Sequence, residues 1–367
     1  MKHDWEYRRL IDVCAGASTI NWDTASSKQY IDLSSVDRES HKVSDTTTIC
    51  KADAPSRAKQ IVKMGDVIFG TTRPLLKRVC LVAPEYDKQV CSTGFCVLRP
   101  QKMVLPMWVY YCLQTDRFYS YIEPLQKGIS YPAVSNDDVR NYVIPLPPLP
   151  VQEQICSLLD KLSRVIEAKK EQLKELDNLA QAIFYDMFGD PVENNKDWKT
   201  QALGDVCTLK AGKSIKASEL SETINVSLFP CYGGNGVRGY IGRYSHNRPL
   251  PIIGRQGALC GNVNFAKAPF YATEHAVVVT PKTTMDVVWL FFVLKLMHLN
   301  QYAHGVAQPG LSVQDIEPLP LIIPPLPLQQ AFAEKVEAIE RQKELINQSI
   351  REVQTLFDSR MDYWFSD

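Results

Sequence analysis

The sequence predicts an α+β chain built as a pseudo-two-fold internal repeat: two mixed α/β globular domains separated by two long antiparallel coiled-coil helices. Three observations carry this reading. A proline-rich segment with its preceding loop occurs twice at a constant offset, and each copy runs into a long heptad-patterned stretch. Charge alternates with the repeat: Lys and Arg exceed Asp and Glu by three in 1–150 and in 191–327, and fall short by three in 151–190 and in 328–367. The expected limits are a first globule at 1–150, a central helix at 151–188, a second globule at 189–327 and a C-terminal helix at 328–367.

Near the start, Asp4-Trp5, Leu10 and Asp12-Val13-Cys14 return as Asp197-Trp198, Leu203 and Asp205-Val206-Cys207, at an offset of 193. At the far end, Gly128-Ile-Ser-Tyr-Pro-Ala-Val-Ser-Asn-Asp-Asp138 and Pro147-Pro-Leu-Pro-Val-Gln152 return as Gly305-Val-Ala-Gln-Pro-Gly-Leu-Ser-Val-Gln-Asp315 and Pro324-Pro-Leu-Pro-Leu-Gln329, at 177. The second copy is therefore sixteen residues shorter inside. Thr93, Val97 and Trp108 find counterparts in Thr273, Val277 and Trp289, which makes the interiors diverged copies. Strands are expected at Asp66–Phe69, Phe95–Leu98 and Ala276–Val279, and helices at about Pro106–Phe118 and Asp286–Leu299.

After each Pro-Pro-Leu-Pro, apolar residues follow steps of four and three. The first series is Ile155, Leu159, Leu162, Ile166, Leu173, Leu176, Ala180, Ile183 and Met187, with Lys169 in the seam. The second is Phe332, Val336, Ile339, Ile346, Ile350, Val353, Phe357 and Trp364, with Lys343 and Arg360 interrupting. Two such helices pair most simply in antiparallel fashion, as a spacer on the order of 50 Å at about 1.5 Å per residue. A heptad stripe also packs against the side of a globule, and that alternative stays open here.

Composition bounds the class. With 45% hydrophobic and 22% charged residues the chain is a folded protein, neither fibrous nor disordered. The N-terminus lacks an apolar signal region, and the most apolar run, Val287–Met297, is interrupted by Lys295, so a cytoplasmic location with no membrane contact is expected. Ten cysteines without a Cys-x-x-Cys pair read as buried reduced thiols, and no metal site is expected. Gly234-x-Gly236-x-x-Gly239 spells a dinucleotide fingerprint but lacks the strand, helix and acidic residue it needs. Neither an Asn/Asp-Pro-Pro-Tyr/Phe methyltransferase motif nor a Walker lysine is found, so no catalytic residue is assigned.

The motifs Gly65-Asp-Val-Ile-Phe-Gly-Thr-Thr-Arg73, Tyr232-Gly-Gly-Asn-Gly-Val-Arg-Gly-Tyr240 and Ile253-Gly-Arg-Gln-Gly257, with the duplicated Pro-Pro-Leu-Pro-x-Gln leading into long helices, give a resemblance over nearly the whole chain. The chain resembles the specificity subunit of type I restriction-modification systems. The resemblance implies two target recognition domains, each reading half of a split double-stranded DNA site. It also implies two modification subunits that methylate adenine and restriction subunits, with S-adenosylmethionine, ATP and Mg on those partners and no cofactor in this chain. Diverged heads predict an asymmetric target, with half-site centres about 34 to 36 Å apart. The alternatives are service to a fused restriction-methylation polypeptide, and a coiled-coil scaffold that binds no DNA.

Arg commonly reads guanine and Asn or Gln reads adenine, while Ser, Thr, Tyr and Lys position phosphates. In the first globule the candidates are Thr71, Thr72, Arg73, Lys77 and Arg78, with Ser130 and Tyr131 from the loop before the proline segment. In the second they are Tyr232, Asn235, Arg238, Arg243, Asn247, Arg255 and Gln256, with Gln308 from the matching loop. Ordinary turns and solvated surface account for the same residue types. At the helix ends Phe184, Tyr185, Phe188, Tyr363, Trp364 and Phe365 are candidates for docking the modification subunits, with packing on the adjoining globule as the alternative.

Overall fold

The computed structural model describes residues 5–257, 259–305 and 309–365. The chain divides into two compact units, Met1–Lys169 with Ser349–Asp367, and Lys170–Gln348. Two 40-residue helices, Leu149–Phe188 and Leu326–Phe365, each contribute one part to each unit.

The units are built from one plan. In the first, a four-stranded antiparallel sheet runs in the order Cys14–Ala15, Phe95–Pro100, Val67–Gly70, Val79–Leu81. In the second the order Cys207–Ala211, Ala276–Pro281, Leu250–Gly254, Val263–Ala266 repeats it strand for strand. A two-stranded ribbon, Glu6–Arg9 with Val143–Leu146, has its counterpart in Thr200–Ala202 with Pro320–Ile322. The central strands are apolar without alternation because both faces are covered. The units differ in an additional sheet, five-stranded in the first and three-stranded in the second.

The helix expected at 106–118 is two helices, Pro106–Cys112 and Asp116–Ile122. Thr115 separates them, because its hydroxyl accepts the Phe118 N–H as the cap of the second. Its counterpart is the single helix Val287–Leu296, capped by Asp286. Trp108 and Trp289 are buried at matching places in the two cores.

Both long helices begin inside the Pro-Pro-Leu-Pro segment, since proline is tolerated in a helix's first turn. Gln152 and Gln329 fix them there. The buried Gln152 accepts the Leu105 N–H at 2.9 Å and donates to the carbonyls of Met103 at 3.1 Å and Pro147 at 2.8 Å. Gln329, equally buried, accepts the Asp286 N–H at 2.9 Å and donates to the Pro324 carbonyl at 2.8 Å. The sequence showed both glutamines as part of the repeat without revealing this use.

In the first unit Ile155 and Leu159 share a core with Met361 and Phe365, and Phe365 lies 4.6 Å from Trp108. In the second the helices meet directly and antiparallel: Phe184 packs on Phe332, and Asp177 accepts from Lys343 at 2.8 Å. Burial opposes the charge on Lys343, but the carboxylates of Asp177 and Glu340 hold its amine above the usual value, which is how a lysine sits in an apolar seam. All ten cysteines are free, nine of them buried, and burial pushes the Cys14 thiol up to about 12. Among the described residues no helix is long and apolar enough to cross a membrane.

Candidate nucleic-acid interface

In the first unit the buried strand Val67–Gly70 ends at Thr71. Thr71 is itself buried; its N–H and hydroxyl both donate to the Gly94 carbonyl, at 2.8 and 2.9 Å. The next two residues turn onto the loop that precedes the first proline segment. Thr72 bridges Ala133, the Arg73 N–H donates to the Pro132 carbonyl at 2.7 Å, and the Val134 N–H donates to Thr71 at 3.0 Å. Lys127 and Ala133 close that loop with reciprocal bonds of 2.8 and 2.9 Å, leaving Ile129, Ser130 and Tyr131 exposed at its tip.

The second unit repeats this cradle. After Leu250–Gly254, the Arg255 N–H donates to the His275 carbonyl at 3.1 Å and Gln256 bridges Gly310. The Gly257 N–H donates to Pro309 at 3.1 Å, and the Leu311 N–H to Arg255 at 2.8 Å. His304 and Gly310 close the loop with reciprocal bonds of 2.8 Å. Thr71, Thr72 and Arg73 thus correspond to Arg255, Gln256 and Gly257, and Lys127 to His304. The sequence presented Gly65–Arg73 and Ile253–Gly257 as separate motifs; they are one element occurring twice. Gln308 lies outside the described residues.

A third loop joins the site in the second unit. Strands Phe229–Gly233 and Gly236–Ile241 form a hairpin whose turn carries the exposed Asn235. Gly234 lies so close to the strand end that a Cβ there would sit 3.3 Å from the Gly254 Cα, and a Cβ on Gly254 would sit 2.4 Å from the Gly234 carbonyl oxygen. Of the glycines that mimicked a dinucleotide fingerprint, Gly234 serves this backbone contact, which brings the Asn235 turn to the Arg255 backbone. Gly254→Ala is therefore expected to force the hairpin away and destabilise the second unit by about 1–3 kcal/mol. Thermal unfolding of the variant checks this, and an unchanged midpoint would contradict the packing.

The remaining candidates divide by environment. Arg238, Asn247 and Lys77 are exposed, Lys77 lying 3.8 Å from Asp116 and 4.7 Å from the Tyr119 ring. Arg243 is exposed but engaged, 2.7 Å from Glu219 and over the Tyr271 ring. A backbone bond from Lys216 and the Arg243 guanidinium hold the Glu219 carboxyl below its usual range. Two expectations of surface contact are corrected. The Thr71 hydroxyl is spent on Gly94, and the buried Tyr232 hydroxyl accepts the Lys267 N–H at 3.3 Å. Thr71 follows a buried strand and Tyr232 lies within one, so polar type alone misled. Arg78 and Arg255 are both half-buried with the Nε enclosed, which leaves only the outer nitrogens of each fork for a ligand.

The sequence matches the type I restriction modification DNA specificity domain over residues 2–178 and 195–355, one match for each half of the repeat. The chain belongs to this family. Among specificity-subunit relatives, that of the EcoprrI type I restriction enzyme of Escherichia coli is 36% identical over 259 residues, covering 66% of this chain and 62% of the relative. The match thus spans about three-fifths of that relative's length. The MjaIX specificity subunit of Methanocaldococcus jannaschii is 21% identical over 388 residues, covering 92% of this chain and 87% of its own. A chain solved in work on complex assembly and conformational transition of the type I R-M system superposes with a TM-score of 0.60 at 25% identity, covering 98% of this chain and 96% of that one. The type I S subunit from M. genitalium, at 14% identity, shares the fold with a TM-score of 0.62, covering 99% and 96%. Specificity subunits are the non-catalytic DNA-recognition members of type I systems.

In this specificity-family chain the aromatic helix ends are mostly interior. Phe184 and Phe188 are fully buried in the second unit, Phe365 is buried on Trp108, and Trp364 stacks on Trp5 with centroids 6.0 Å apart. Their burial removes them as docking residues, because the adjoining globule already covers them. Tyr185, 38% exposed, and Tyr363, 53% exposed, remain at the surface. Leu158, Val165 and Leu356 in the first unit and Leu179, Leu328 and Leu345 in the second are further exposed apolar residues on the long helices that the sequence did not single out. On the first long helix the signal was a second heptad series, Leu158, Val165 and Leu179, outside the main seam; Leu328, Leu345 and Leu356 on the second show no such spacing.

Proposed function

We propose that this chain is the DNA-reading subunit of a type I restriction-modification complex, each unit reading one half of a split, asymmetric double-stranded site. It directs two adenine-methylating modification subunits and restriction subunits to that site in the cytoplasm. The observation that carries this reading is the loop cradle built twice on one backbone plan with different side chains. Thr72, Arg73, Ser130 and Tyr131 line the first; Asn235, Arg255 and Gln256 line the second. Equal backbones with unequal side chains suit two unlike half-sites. Lys77, Arg238, Arg243 and Asn247 are assigned to phosphates. The exposed apolar helix residues, with Tyr185 and Tyr363, are assigned to the modification subunits. S-adenosylmethionine, ATP and Mg belong to the partners.

The test is co-expression with a type I modification subunit from the same genome and genome-wide mapping of methylated adenines by single-molecule sequencing. The expected result is a split asymmetric motif with one methylated adenine in each half. Co-purification of the partner without such a motif would replace this reading with the scaffold one.

A further inference from the structure

We infer that Arg73 determines specificity in the first unit: its guanidinium, held over the Tyr131 ring, reads a guanine in the half-site that unit takes. The inference rests on the DNA-reading function proposed above and deepens it to one residue and one base.

The backbone makes the first argument. Arg73 sits in the left-handed region, at φ 51° and ψ 59°, where a side chain is disfavoured and glycine is the easy choice. At the corresponding position the second unit has Gly257, also left-handed at φ 86°, with open space where a Cβ would stand. The fold therefore accepts glycine at this turn, and in the first unit it holds an arginine there against the backbone preference. Both turns make the same backbone bond to the facing loop, from Arg73 to Pro132 and from Gly257 to Pro309. The turn does not need the arginine side chain.

The side chain makes the second argument. The Arg73 guanidinium carbon lies 4.7 Å from the Tyr131 ring centroid, and its Nη2 approaches the Ser130 carbonyl at 3.4 Å. Arg73 is exposed, and no carboxylate among the described residues lies within ion-pair distance of it. Tyr131 is 69% exposed at the loop tip. An aromatic face restrains the plane of the guanidinium while leaving an edge of the fork to donate. A planar, oriented pair of donors matches the O6 and N7 acceptors of guanine in the major groove. Tyr131 is then a positioning residue, acting through Arg73.

The experiment repeats the methylation mapping with Arg73→Gly, Arg73→Lys, Tyr131→Leu and Tyr131→Phe in the assembled complex. Arg73→Gly copies the second unit's own turn and so keeps the fold. It is expected to relax one position in one half of the motif from guanine to any base, with about a ten- to hundredfold loss of discrimination, while the other half stays unchanged. Arg73→Lys relaxes the same position because the fork is gone. Tyr131→Leu relaxes it too and Tyr131→Phe retains it, a difference that mere loop disruption would not produce. An Arg73→Gly motif identical to the parent at every position overturns the inference. So does uniformly weaker methylation with a shallower salt dependence, the mark of a phosphate contact. Absence of any split motif in the parent complex overturns the underlying function, and is distinguished by appearing before any substitution is made.

Discussion

Phe184→Ala is expected to destabilise the second unit by about 3–5 kcal/mol, the usual range for emptying an aromatic site in a packed core. The Phe184 ring lies 5.1 Å from Phe188 and 5.5 Å from Phe332, and Phe332 lies 5.1 Å from Phe292. The cavity would open where the helices and the globule meet, among rings with little room to collapse inward. The adjacent Tyr185→Ala should change stability by under about 1 kcal/mol, since its ring is partly in solvent. Unfolding midpoints separate the two. The functional contrast runs the other way: Tyr185→Ala should weaken capture of the modification subunit at an unchanged midpoint. Equal stability losses at 184 and 185 would contradict the division between interior and docking aromatics drawn here.

Gln152→Leu is expected to cost about 3–5 kcal/mol, because it leaves the buried Pro147 carbonyl without its partner, at roughly 1–3 kcal/mol, and the part-buried Leu105 N–H and Met103 carbonyl at less each. Gln329→Leu strands two groups, Asp286 N–H and the Pro324 carbonyl, and should cost less. Chemical denaturation of both variants measures the difference. Gln152→Glu sharpens the test. It keeps an acceptor for Leu105 but aims a second oxygen at two carbonyls, so the buried carboxyl is driven toward its protonated form and its folded pKa rises. Its stability deficit should therefore be smallest at low pH and grow as pH rises through that folded value. A deficit independent of pH would mean the side chain has left the clamp.

Much of the scaffold was legible because it is periodic or duplicated. The two ends of the repeat kept constant offsets, and the heptads announced both long helices. The site was harder for two physical reasons. First, its loops meet through bridges such as Thr72 to Ala133 and Gln256 to Gly310, which join segments over fifty residues apart and leave no local pattern. Second, the offset between copies drifts from 193 at Trp5 through 184 at Gly70 to 177 at Gly128, so the equivalence of Thr72 and Gln256 is invisible until the strands are aligned in space. The aromatic helix ends misled for a different reason. A ring in a heptad pattern has the same sequence signature whether its own globule or another chain covers it, and only burial separates Phe184 from Tyr185.

The first unit is discontinuous in the chain, and the segment that closes its core follows the whole of the second unit: Met361 and Phe365 complete the cluster around Trp108. During translation, then, this globule emerges before the second unit yet is finished only after it. It waits with an open apolar face until some two hundred further residues have been made. A chain released before that point would carry the unfinished face exposed, a target for chaperones and proteolysis.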